Sequence, residues 1–137
     1  MRKISALPAL LVLTAAQPAP HAPIEGYWKN PIGSAIIAIR PCGPSLCGKV
    51  VWASERGQRE VANTTSHVVG TTVLTGLKFN RGRWSGSLFI PDDNIHVTAH
   101  LEMANSRELK LTGCGLMGLI CRTQLWTRQD EPLPPSG

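Results

Sequence analysis

The chain has 137 residues and a formal net charge of +5, with 42% hydrophobic and 17% charged residues. That length fits one domain with a respectable core. Its cations are scattered, with only Arg81 and Arg83 set close together across Gly82. This argues against a nucleic-acid binder, which clusters lysine and arginine on one face, and no stretch reaches the roughly 20 apolar residues of a spanning helix.

Residues 1–16 have the pattern of a secretory signal peptide. Arg2 and Lys3 form a positive start, and the apolar run 4–16 that follows is broken only by Ser5, Pro8 and Thr14. Cleavage is expected after Ala16, and no cysteine near the cut offers a lipid attachment site. The mature protein is therefore expected to be periplasmic or secreted. Residues 17–25, rich in proline and alanine, read as an extended leader, and residues 129–137, which carry Pro132, Pro134 and Pro135, as a disordered tail.

Between these ends lie short β-rich segments separated by turn chemistry. Residues 34–41 (SAIIAIRP) and 48–53 (GKVVWA) form one hairpin around the turn at 42–47, and 71–80 (TTVLTGLKFN) and 83–90 (RWSGSLFI) a second around Arg81-Gly82. After the turn at 91–94, Ile95, Val97, Ala99, Leu101 and Met103 alternate with His96, Thr98, His100 and Glu102. Such period-two alternation marks a half-buried strand. Residues 108–114 and 119–128 complete the set, flanking a glycine-rich loop, and the polar insertion 54–69 has room for a turn of helix.

About eight antiparallel strands with one apolar face each hide that face by closing into a barrel or stacking two sheets. The expected fold is all-β, a small meander barrel, with Val50, Trp52, Val73, Leu77, Leu88, Val97, Leu101, Leu109 and Leu111 directed inward. A barrel of this size either fills with side chains or holds one ligand. Trp52, Gly76, Val97, Ala99 and Leu101 are the candidate ligand-lining positions.

The four cysteines are Cys42, Cys47, Cys114 and Cys121. Two tight pairs behind an export signal read as disulfides rather than zinc ligands, because neither pair is a Cys-x2-Cys knuckle and the compartment is oxidising. Of the three possible connectivities, spacing favours Cys42–Cys47 and Cys114–Cys121, each pinning a hairpin end.

The run Gly26-Tyr27-Trp28 resembles the Gly-x-Trp opening of lipocalins and related calycin barrels. In those proteins an arginine of the last strand packs over that tryptophan, so the resemblance implies Arg122 or Arg128 over Trp28 as the barrel's closure. More extensively, the chain resembles the exported bacterial family of domain of unknown function 2147. The resemblance runs from Gly26-x-Trp28 through Ile39-x-x-Cys42, Leu46-Cys47-Gly48, Gly76-Leu77, Trp84-x-Gly86, Pro91-Asp92 and Gly113-Cys114 to Cys121-Arg122-x-Gln124-x-Trp126-x-Arg128. It spans 26–128 and implies a lipocalin-like barrel. Residues 58–69 depart from the family pattern, being shorter and lacking aspartate.

No catalytic, metal or cofactor motif appears. His96 and His100 have a zinc-helix spacing, but on a strand they stand about 13 Å apart, too far for both to reach a metal at roughly 2 Å. There is no Gly-x-Ser-x-Gly elbow, and the acids Glu55, Glu60, Asp92, Asp93, Glu102 and Glu108 single out no pair. The sequence thus reads as a non-catalytic barrel that binds a small apolar or amphipathic ligand. Its alternative is an envelope structural or protein-interaction module with a filled barrel, and cavity volume separates the two.

Overall fold

The computed structural model of the chain describes residues 8–9, 22–62 and 67–134. The signal peptide expected at 1–16, except 8–9, most of the leader, and residues 135–137 lie outside the described residues. The elements in order are β1 (Gly26–Lys29), β2 (Ala35–Cys42), β3 (Ser45–Ala53), α1 (Glu55–Glu60), β4 (Thr72–Asn80), β5 (Arg83–Ile90), β6 (Ile95–Asn105), β7 (Glu108–Gly115) and β8 (Ile120–Gln129). Each strand pairs antiparallel with the next, and β8 returns to β1, closing the barrel. Closure removes the unpaired edges that an open sheet would expose. The residues marked as a tail begin in order, since Gln129 is the last residue of β8 and Asp130 is paired with Arg107 at 3.1 Å.

Connections alternate between the two ends. One end carries the β2–β3, β4–β5 and β6–β7 turns together with both chain ends of the barrel. The other carries the β1–β2 loop, α1, the β5–β6 turn and a 3₁₀ turn (Leu116–Gly118) between β7 and β8. Helix α1 starts on Ser54, whose hydroxyl accepts the Gly57 N–H at 3.0 Å, an N-cap that satisfies one free donor of the first turn. The disulfides are Cys42–Cys47 at the first end and Cys114–Cys121 at the second, so each barrel end has its own staple.

The core follows the alternation of the strands. Met103, Leu101 and Ala99 on β6 face the same interior as Leu109, Leu111 and Gly113, their partners on β7. These in turn oppose Trp126, Gln124 and Arg122 on β8. Strands β3 and β4 are less regular. Register slips between the Ile36–Trp52 and Ile37–Val50 pairs, where β3 spends an extra residue, Val51. A bulge of this kind shifts the side-chain period by one. Val50 therefore points in, Trp52 points out, and Ala53, buried at 6% exposure, points in again. On β4 a second bulge sets Gly76 and Leu77 against Gly86, between the pairs Thr75–Ser87 and Lys78–Ser85. Gly76 takes a left-handed φ of 64°, which glycine adopts without steric cost. Leu77 consequently enters the core and Lys78 reaches solvent.

Candidate functional site

The end of the barrel where the chain enters and leaves is plugged. Trp28 is fully buried and its indole N–H donates to the Ile24 carbonyl at 2.8 Å. Ile24 itself, assigned to an extended leader from sequence, is 1% exposed and belongs to the core. Over the Trp28 ring, 4.3 Å from its centroid, lies the Arg128 guanidinium. Arg128 donates to the carbonyls of Glu25, Pro23 and Ser106 at 2.9, 2.6 and 3.0 Å. Burial, and then the nearby Arg107, push its pKa below the usual arginine value, while Asp130 pulls it back. Arginine remains charged at any working pH, so the plug is a charged group held by three backbone dipoles over a π face. A Cβ on Gly26 would lie 2.7 Å from Arg128 Nη1, so the absence of a side chain there admits the arginine.

The opposite end opens into a cavity of about 610 Å³ inside the barrel. Its wall is apolar over Ile37, Val50, Val73, Leu88, Val97 and Leu111, with Trp126 among the deeper residues. Volume and lining both suit a small-molecule site. A second concavity, about 660 Å³, is a more polar groove on the outer face of β6 under the 3₁₀ turn. There His100 Nδ1 and the Ser85 hydroxyl lie 2.8 Å apart, and His96 stacks against Phe89 with ring centroids 4.8 Å apart. The barrel interior is the stronger ligand candidate, because strands wall it on every side and apolar side chains line it.

Polar groups inside the cavity come largely from one wall. Arg122 and Gln124 project inward from β8, at positions paired with Gly113 and Leu111. The Gln124 carbonyl accepts the Trp126 indole N–H at 3.0 Å. At the rim stand Asn30, Ser34, Glu60, Asp92 and Asp93. Glu60 is engaged by Arg56 at 2.9 Å, and Asn30 is tied into the β1–β2 loop through Ser34. The rim also exposes large apolar side chains: Ile32, Ile95, Leu116, Met117, Leu119 and Ile120. Leu116 and Met117 hold left-handed φ values of 50° and 56°, strained for non-glycine residues, in the turn bracketed by Cys114–Cys121.

The sequence-derived site residues divide accordingly. Val97 lines the cavity. Ala99 and Leu101 face inward, but both are fully buried in the packed core rather than open to the cavity. Trp52 and Gly76 do not line it: the Val51 bulge turns Trp52 to the outer face, and Gly76 is an exposed bulge residue. Of the two arginines considered for closure, Arg128 lies over Trp28, whereas Arg122 lines the cavity near the open end. Sequence reasoning offered Arg122 only as a closing residue and did not single out Gln124, although alternation counted back from Trp126 would place both on the inner wall.

A solved Helicobacter pylori protein, HP1028, described as belonging to the lipocalin family, superposes with a TM-score of 0.58 at 12% identity, covering 78% of this chain and 83% of that one. At that identity the likeness speaks for the fold alone, a lipocalin-like barrel. No curated protein sequence matches the chain. The family described as "Uncharacterized protein conserved in bacteria (DUF2147)" matches residues 26–128, the whole barrel from the Gly26-x-Trp28 opening to Arg128, and the chain belongs to that family.

Proposed function

We propose that the protein is exported under the signal peptide at residues 1–16 and binds a small apolar or amphipathic molecule inside its barrel, without catalysis. The observation that carries this reading is the cavity of about 610 Å³, apolar-walled, open at one end and backed by the Arg128–Trp28 plug at the other. A filled barrel would leave no such space. The disulfides support an oxidising compartment. Native mass spectrometry of protein purified from its own envelope fraction is expected to show a co-purifying small molecule, and an apolar fluorescent probe is expected to be taken up and displaced. A clean apo mass together with no probe uptake would refute the reading.

The second reading, an envelope protein-interaction module, draws its support from the exposed apolar rim at Ile32, Leu116, Met117 and Leu119. Residues of this kind, grouped at one end of a barrel, mark a contact surface more often than chance scatter does. Substituting Met117 and Leu119 by serine would then abolish partner binding while leaving probe uptake intact.

A further inference from the structure

We propose that the cavity takes an amphipathic anion, its acidic head held by Arg122 and the Gln124 carboxamide and its tail laid on the apolar wall. This rests on the carrier reading above and names the ligand class. The argument begins with donors and acceptors. Arginine offers five N–H groups and accepts nothing. Gln124 could supply both kinds of group, but its carbonyl already accepts the Trp126 N–H, a pairing fixed in direction because indole only donates. That pairing orients the amide, with its oxygen turned to Trp126 and its NH₂ without a hydrogen bond among the described residues. Two consecutive inward positions of β8, about 7 Å apart along the strand, therefore offer a guanidinium and an amide NH₂ as donors.

Among the described residues, the Arg122 side chain, exposed to solvent in the open cavity, makes no ion pair and no hydrogen bond. The acids that line the same cavity are Glu60, which holds Arg56, and Asp92 and Asp93 on the β5–β6 turn, and none of them is ion-paired with Arg122. Space beside the guanidinium is also kept open. Its partner on β7 is Gly113, where a Cβ would come within 3.4 Å of Val97 and narrow the channel. Facing these donors, β2 to β5 contribute Ile37, Val50, Val73 and Leu88, none of which can bond a polar head. The arrangement sorts a ligand by its two ends. A carboxylate or phosphate fits the planar guanidinium with two oxygens at once, and both heads share the chemistry required.

Calorimetric titration of the purified, delipidated protein with dodecanoate, dodecyl phosphate and dodecanol tests the assignment. At neutral pH at least one anion is expected to bind about tenfold or more tighter than the alcohol, a charge-assisted bond's worth of affinity. In Arg122→Gln that preference should vanish, and in Gln124→Leu it should shrink. Equal binding of alcohol and both anions would overturn the anion assignment while leaving the carrier reading standing, as would a preference that survives Arg122→Gln. Failure of all three ligands to bind would overturn both. Because the wild-type comparison needs no variant, it keeps the anion assignment open to refutation even if Arg122→Gln does not fold.

Discussion

Replacing Arg128 by methionine keeps the length and apolar stem of the side chain and removes its charge and its donors. Three bonds to carbonyls and one cation–π contact are lost. Bonds to charged groups contribute about 1.5–3 kcal/mol each, but the Pro23 and Ser106 carbonyls are reached by water, which can replace the guanidinium there. The Glu25 bond, part-buried, carries most of the loss, and the contact with the Trp28 ring adds about 0.5–2 kcal/mol. The expected destabilisation is about 2–4 kcal/mol, read as a lowered urea midpoint, and for a domain of this size a melting temperature lower by about 10 °C or more. Gly26→Ala should be strongly non-additive with it, because a methyl at that position displaces the same arginine. A loss under about 1 kcal/mol for Arg128→Met, or additive energies for the pair, would refute the idea that this plug is what closes the barrel end.

Three further outcomes can be checked. Cys114→Ser with Cys121→Ser removes the bridge across the loop at the open end; chain entropy limits the cost to about 2.5 kcal/mol, so the variant should stay folded at a lower melting temperature and show faster amide exchange in residues 114–121. Gly86→Ala puts a methyl 2.5 Å from the Thr75 carbonyl oxygen and 2.9 Å from Leu77, in the hollow made by the Gly76 bulge; backbone must shift, and a loss of about 1–3 kcal/mol is expected in denaturant titration. Deleting Val51 should restore unbroken alternation along β3 and swing Trp52 into the barrel; the expected result is a folded β-protein by circular dichroism that no longer takes up an apolar probe, and undiminished uptake would contradict the assigned role of the bulge.

Strands were legible wherever alternation ran unbroken. From Ile95 to Met103 the sequence alternates apolar and polar residues, and β6 places Val97, Ala99, Leu101 and Met103 inward, with Ile95 exposed at the rim. The cysteine spacing revealed both staples for a similar reason, since each pair lies within the few residues of one hairpin end. Trp28 and Arg128 were reachable through the Gly-x-Trp opening and the last strand's arginines, but choosing between Arg122 and Arg128 was not. The choice depends on how far β8 runs past the mouth before it meets β1, and Trp28 pairs with Arg128 in that register. Gly76 illustrates the opposite limit, because a glycine looks like open space in a strand pattern when its use here is a backbone turn at a bulge.

Bulges matter beyond prediction because they decide whether the barrel can hold anything. With strict alternation, β3 would send Leu46, Gly48, Val50 and Trp52 inward, and the indole would stand in the volume that Ala53 leaves free next to Ala35. One extra residue exchanges the largest side chain for one of the smallest at the open end. On β4 the Gly76 bulge works in the reverse sense, drawing Leu77 in and turning Lys78 out, which fills the interior toward the plugged end and keeps an ammonium out of it. Packing is therefore graded along the axis. Leu77, Leu101 and Leu109 are fully buried toward the closed end, while Val97, Gly113 and Arg122 surround space near the mouth. That gradient turns a closed barrel of short strands into a cup, and among the described residues it leaves Arg122, the one cation lining the cavity, at the lip, while Arg128 seals the opposite end.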